Sequence, residues 1–270
     1  MPVLLDYHIH TKLCGHARGE MEEYVQAAID RGLAEMGFND HLPMYFRPVA
    51  ERDASIAMTE EQVPGYLARI RELAAAYPQL TIRAGIEADY VPGWEASLKA
   101  MLDRYQLDYV YGSVHFLDGW GFDDSRYLHV YKQWDIAELY RYYFTTIQKA
   151  AASGLFDILG HPDLIKKFGY RPEQSVDNLL EATVKKIAAA GVAVEVNTAG
   201  WRVTAQEQYP SARFLEFCHH YRVPVTLGSD AHQPDQVAYE FSRAAALLKD
   251  IGFKELATYQ DRQRTMVELD

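Results

Sequence analysis

The stretch LLDYHIHTKLCGHA places Asp6, His8, His10, Cys14 and His16 within eleven positions, in a chain that holds ten histidines in all. His8 and His10 are two apart, so their imidazoles share one face of an extended strand. The same spacing returns near the other end in GSDAH, with Asp230 and His232. Between these come Asp40 and His41 in GFNDH, Glu87 in GIEADY, His115 in GSVHF, His161 in GHPD, and Glu195 and Asn197 in EVNTAG. Imidazole and carboxylate groups of this kind are ligands for divalent metals, and converging buried acids without a cation would be costly. Each residue alone has a plainer role. An H-x-H pair can lie on a surface, Asp40 can cap the next segment, Glu87 can be solvated, and Cys14 can be a small packed residue beside the ligands. Asp6, two residues before His8, faces the same way in a regular strand. It could orient an imidazole or bond to backbone as a strand-start carboxylate. His129, His219 and His220 fall in a loop and a helix, and read as structural or surface residues.

The elements that must position these groups alternate along the chain. VLLDYHIH reads as a strand and MEEYVQAAIDRG as a helix ending on Gly32. LAEMGFNDH precedes the helix around PGYLARIRELAAAY, TIRAGIEADYV precedes WEASLKAMLDRY, and DYVYGSVHFL precedes a loop and AELYRYYFTTIQKAAAS. FDILGHPDLI is followed by VDNLLEATVKKIAAAG, VAVEVNTAG by SARFLEFCHHY, and VPVTLGSDAH by YEFSRAAALLKDIG. Seven strand–helix units imply a parallel sheet wrapped by helices. The length favours an α/β fold closed, or nearly closed, into a barrel, one domain spanning residues 1–270. Seven of the ten histidines then sit at or just after strand ends, the face on which such barrels build active sites. No G-x-G-x-x-G follows a strand, which argues against dinucleotide binding.

Composition excludes other classes. The net charge of −11 argues against a nucleic-acid-coating surface, while a few basic groups in a cleft would still serve a small anionic substrate. Two cysteines, Cys14 and Cys218, give no disulfide framework and suit a reducing compartment. Only four residues precede Leu5, Asp6 follows it directly, and no run approaches eighteen apolar residues. The expectation is a cytoplasmic protein with neither leader nor membrane span.

Taken together, DYHIHTKLCGHA, GFNDH, GIEADY, GSVHF, GHPD, EVNTAGWR and GSDAH resemble the polymerase and histidinol phosphatase (PHP) superfamily, and most closely its stand-alone histidinol-phosphate phosphatase branch. The resemblance runs from about Val3 to about Asp235. It implies a distorted seven-unit (β/α) barrel of the PHP type, with up to three metal ions at the C-terminal face of the strands. By the family pattern His8, His10, Glu87 and Asp230 would bind one ion, and His16, His41 and His232 a second. Glu87 would bridge to a third held with His115 and His161. Arg202 matches a position associated with substrate phosphate, which it could grip bidentately.

The resemblance implies a phosphomonoesterase converting L-histidinol phosphate and water to L-histidinol and phosphate, with two to three divalent transition-metal ions (Zn, Mn or Fe) as cofactors. Such ions would neutralise the phosphate and lower the pKa of a water from about 15.7 toward about 7. Asp40 and metal-bound water are both candidate acids for the leaving group. A second reading keeps the metals and changes the ester to nucleotides or other small phosphate esters. A third, a metal-binding or polymerase-associated module, is disfavoured because a structural site needs four closed ligands, and the acidic charge disfavours an exonuclease. The loop HFLDGWGFDDSRYLHVYKQW carries Phe116, Trp120 and Phe122 with Asp118, Asp123 and Asp124. These could stack on an imidazole and attract an ammonium group, or simply anchor the loop on the barrel.

Overall fold

The computed structural model describes residues 5–269; Val3 and Leu4, which the sequence pattern assigns to the first strand, lie outside the described residues. Seven parallel strands run in chain order around one sheet. They are β1 (Leu5–Ile9), β2 (Glu35–Phe38), β3 (Thr81–Asp89), β4 (Tyr109–Ser113), β5 (Ile158–Leu159), β6 (Ala193–Asn197) and β7 (Val225–Gly228). The ring closes just past β1 and β7, where His10 N–H donates to the Ala231 carbonyl (2.9 Å) and Ala231 N–H to the His8 carbonyl (3.1 Å). Each strand leads to a helix: α1 (Met21–Asp30), α2 (Val63–Ala76), α3 (Glu95–Leu102), α4 (Ile136–Ala152), α5 (Asp177–Ala190), α6 (Ala212–His220) and α7 (Phe241–Ile251). Local chemistry sets their ends. Glu20 and Glu23 form a capping box at α1, Asp135 caps α4 through Glu138 N–H (3.0 Å), and Gly191 ends α5 at φ 72°.

One irregularity alters the sequence expectation for Asp6. Asp6 pairs with Met36 and Ile9 with Phe38, and the register slips between them. Three steps along β1 match two along β2, a β-bulge, so Asp6 falls on the face of Ile9 rather than that of His8 and His10. Its carboxylate accepts from the backbone N–H groups of His8 (3.3 Å), Ser229 (2.9 Å) and Ala238 (2.8 Å). Asp6 therefore ties the first strand to the loop after the last and touches no imidazole.

Beneath the site the barrel is filled by tyrosines. Tyr7 and Tyr109 stack with centroids 4.7 Å apart, and Tyr109 Oη donates to the Tyr7 carbonyl (2.8 Å). Gly37 and Gly85 leave room for the Tyr109 ring, which occupies the space a Cβ at either position would need. The far end is closed by an antiparallel hairpin that the sequence pattern did not reveal, β8 (Glu255–Gln260) with β9 (Gln263–Glu268). Tyr259 N–H donates to Tyr7 Oη (3.0 Å), and Arg262 pairs with Asp157 (2.6 Å).

Gly85→Ala is expected to destabilise the fold by overpacking, typically about 1–3 kcal/mol. The urea midpoint should fall accordingly; an unchanged midpoint would mean that the Tyr109 ring can move aside.

Candidate metal centre and cavity

The site is assembled from the C-terminal ends of all the barrel strands around Glu87, which is 1 % exposed. Its main chain is pinned to the segment after β2, with Glu87 N–H on the Asp40 carbonyl (3.0 Å) and Leu42 N–H on the Glu87 carbonyl (2.7 Å). Its two oxygens face different groups. Oε2 lies 3.3 Å from His8 Nε2, 3.6 Å from His10 Nε2 and 3.1 Å from His41 Nδ1. Oε1 lies 3.0 Å from His161 Nε2 and 3.7 Å from His115 Nε2, and accepts from Ser113 Oγ (2.6 Å). Asp230 Oδ1 stands 3.2 Å from His10 Nε2 and 3.8 Å from His8 Nε2. His232 stacks on His10 (4.1 Å between centroids), and its Nε2 faces His16 Nε2 at 2.9 Å. All nine residues singled out by the family pattern meet here.

Hydrogen bonds to the far ring nitrogens aim these imidazoles. His8 Nδ1 is bonded to Glu195 (2.7 Å), His115 Nδ1 to Asp89 (2.8 Å), His16 Nδ1 to the Cys14 carbonyl (2.9 Å) and His232 Nδ1 to the Asp230 carbonyl (3.0 Å). A carbonyl can only accept, so His16 and His232 each carry a proton on Nδ1 and present a lone pair at Nε2. Two lone pairs head-on repel unless a cation lies within reach of both. His8 Nε2 and Glu87 Oε2, both facing into the cluster, are buried and have no hydrogen-bond partner among the described residues, as expected of ligand atoms. Groups such as His10–His41–His232, His8–His10–Asp230 and His8–Glu87–His161 bring their ligand atoms within 4.8 Å of one another. The donor set fits divalent cations.

The electrostatics agree. Burial would push the Glu87 carboxyl up, but His8, His41 and His115, with the bond from His161, hold it well below the usual carboxylate range. Asp230 is likewise held low, against burial, by His8, His10 and His232. Burial drives the His232 imidazole down to about 3, with His10 adding to the shift, so this ring is neutral and able to ligate. Asp230 (φ 54°) and His161 (φ 27°) sit in the left-handed region, a strained placement of the kind found at functional sites.

The cluster lines a cleft of about 1030 Å³, whose wall also includes Phe116, Trp120, Asp123, Lys167 and Tyr209. Several expected residues lie elsewhere. Asp40 is wholly buried; it accepts from Thr11 Oγ1, Thr11 N–H (3.1 Å) and His41 N–H (3.0 Å), and stands 3.6 Å behind His10 Nδ1. It is off the cleft wall, which corrects the expectation of a catalytic acid: Asp40 backs His10. Arg202 is also off that wall. Its Nη2 donates to the Ser229 and Asp230 carbonyls (2.9 Å each), and its guanidinium lies over Tyr239 at 5.2 Å. From the turn at Thr198–Arg202 these bonds brace the loop carrying Asp230 and His232, while Nη1 is buried with no hydrogen-bond partner among the described residues. Asp118 accepts from Tyr142 Oη (2.6 Å), away from the cleft, and Phe122 is fully buried, packed on Tyr143 at 5.4 Å. Asp124 lines the cleft but caps its own turn and pairs with Arg126 (2.6 Å). Sequence reasoning passed over Lys167, paired with Asp123 at 3.1 Å. Asp123 holds its ammonium charged against burial, and the only available signal was its place a few residues after GHPD.

As a brace, Arg202 should contribute to stability. Arg202→Ala is expected to cost about 1.5–3 kcal/mol, the range for hydrogen bonds from a charged group, in urea unfolding of the ion-free chain. No change in the midpoint would contradict the bracing role.

Comparison with known proteins places these observations in a family. The PHP domain is matched over residues 6–199. A probable histidinol-phosphatase of Deinococcus radiodurans is 41% identical over 264 residues, 97% of this chain and 99% of the relative. The histidinol-phosphatase of Bacillus subtilis is 30% identical over 263 residues, 87% of this chain and 96% of its own. The fold matches the crystal structure of Lactococcus lactis histidinol phosphate phosphatase complexed with zinc, L-histidinol and phosphate, with a TM-score of 0.83 at 23% identity, covering 97% of this chain and 99% of that one. Matched by the domain over most of its length and by relatives nearly end to end, the chain belongs to the PHP domain family.

Proposed function

We propose that this chain is a metal-dependent phosphomonoesterase that hydrolyses L-histidinol phosphate to L-histidinol and phosphate. The observation that carries the reading is the lining of the cleft: the imidazoles and carboxylates around Glu87 share one cavity with Phe116, Trp120, Asp123 and Lys167. L-Histidinol phosphate has a phosphate at one end, an imidazole at the other and an ammonium on the carbon between them, and this lining offers a partner to each. The full-length similarity to histidinol-phosphatases supports the same substrate.

In this reading His8, His10, Glu87 and Asp230 hold one ion, His16, His41 and His232 a second, and His115 and His161 a third shared through Glu87. Zn, Mn and Fe all suit nitrogen and carboxylate donors. Divalent ions, when bound, supply charge neutralisation at the phosphoryl group and an acidified water. The chain's own groups do the rest. Lys167 offers a charged donor to a phosphate oxygen, releasing Asp123 toward the substrate's ammonium. Phe116 and Trp120 present ring faces to the imidazole, and Trp120 is itself held edge-on to Tyr131 at 4.9 Å. Asp89 and Glu195 keep the imidazoles of His115 and His8 aimed.

Steady-state kinetics on metal-reconstituted protein tests the substrate. Histidinol phosphate should exceed nucleoside monophosphates and a generic aryl phosphate in kcat/KM. Trp120→Ala should lower kcat/KM for histidinol phosphate about 2–30-fold, the equivalent of about 0.5–2 kcal/mol for a ring–cation contact, with little effect on the aryl ester. Wild-type preference for nucleotides would overturn the substrate assignment.

A further inference from the structure

Glu195 is fully buried on β6 and belongs to none of the ligand groups above, yet it bonds two of their members. Its Oε1 bonds His8 Nδ1 at 2.7 Å. Its Oε2 accepts from the backbone N–H of His161 at 2.7 Å and from Asn197 Nδ2 at 3.1 Å. The same Asn197 amide also donates to Asp230 Oδ2 at 3.2 Å. One carboxylate and its neighbour thus reach His8 and Asp230 on one side of Glu87 and His161 on the other. The fold makes room for it: a Cβ at Gly228 would collide with Glu195 Oε1, so only glycine lets β7 pass this close.

We infer that Glu195 is a positioning residue that couples two ion sites, fixing the tautomer of His8 for one and the backbone of His161 for the other. The inference rests on the metal reading of the site given above. Carboxylate oxygens only accept hydrogen bonds, so Glu195 places the proton of His8 on Nδ1 and leaves Nε2 bare toward Glu87 and Asp230. His161 depends on Glu195 differently. Its φ of 27° is a conformation that side-chain-bearing residues rarely adopt, and the bond from its N–H to Oε2 helps hold the turn that aims Nε2 at Glu87. A glutamine at 195 has the same shape but cannot serve both. If its carbonyl oxygen faces His161 and Asn197, its NH₂ faces His8 Nδ1 and drives the proton onto Nε2, the atom that should ligate. If it is reversed, the NH₂ meets the His161 N–H. Either arrangement damages a ligand group, and the strain passes through Asn197 to Asp230. Asp89 provides the contrast, since it bonds only the His115 ring (2.8 Å) among the imidazoles.

The test is a stepwise titration of the ion-free full-length chain with Zn(II) against a competing chelator, on wild type, Glu195→Gln and Asp89→Asn. The melting temperature of each ion-free protein is measured alongside, and long-range ¹H–¹⁵N correlation of the imidazoles reports the His8 tautomer. Glu195→Gln should weaken two binding steps by roughly 10–100-fold each, the usual effect of losing a group that orients a ligand, and shift the His8 proton to Nε2 or leave the tautomers mixed. Asp89→Asn should weaken one step. Should Glu195→Gln fail to fold, Glu195→Asp keeps the charge but withdraws it by one methylene, and should again weaken two steps together. Loss in a single step, no loss, or an unchanged His8 tautomer in the glutamine variant would overturn the coupling. Wild-type protein that binds fewer than two ions would instead overturn the metal reading itself. Wild type that binds them but ignores histidinol phosphate would overturn only the substrate assignment.

Discussion

A carboxylate almost without solvent keeps its charge only if cationic or hydrogen-bond-donating partners are built around it, and Glu87 sets that condition for the whole top of the barrel. Five imidazoles approach its two oxygens. Such a shell would hold cations beside Glu87 only with the inward-facing ring nitrogens bare. The proton of each ring must then be held on the outward nitrogen, and Glu195, Asp89 and the carbonyls of Cys14 and Asp230 do this for His8, His115, His16 and His232. The polar groups of the site are therefore layered outward from one side chain, and each layer fixes the protons of the one within it.

The scaffold supplies that layering at the strand ends. Parallel strands deliver His8 from β1, Glu87 from β3, Ser113 from β4 and Glu195 from β6 to neighbouring points, while the residues beyond the strand ends complete the ring. Two of those, His161 and Asp230, are held at positive φ, and their cost is offset by bonds from the surroundings. Glu195 takes the N–H of His161, Arg202 takes the Asp230 carbonyl, and Asp6 anchors the loop at Ser229 and Ala238. On the wall of the cleft, Lys167, Asp123 and two aromatic rings then stand ready for a small phosphate ester that also carries an ammonium and a ring.

The convergence of imidazoles and carboxylates was legible in the sequence because H-x-H, GIEADY, GHPD and GSDAH put such groups at the ends of readable strands. The barrel was legible because seven apolar runs alternate with helical periodicity. What was missed has specific causes. A register slip in β1 leaves no mark in composition, so Asp6 was counted on the wrong face. Asp40 stands at a strand end like the clustered imidazoles, and nothing in spacing tells a side chain that enters the cleft from one that backs a ring from behind. Glu195 was visible as a strand-end acid, but its role depends on which ring nitrogen it meets. The terminal hairpin, exposed on most of β9, lacks the alternation of a half-buried strand and so gave no signal.

The account stands or falls on Glu87 serving more than one ion at once. Elemental analysis of metal-reconstituted protein, wild type beside Glu87→Gln, measures this directly, because the amide keeps the shape and removes the charge between the two groups of imidazoles. More than one transition-metal equivalent per chain in the wild type, falling to one or none in the variant, is the expected result. Equal metal content in the two proteins, or a fully active wild type with one ion or none, would contradict it.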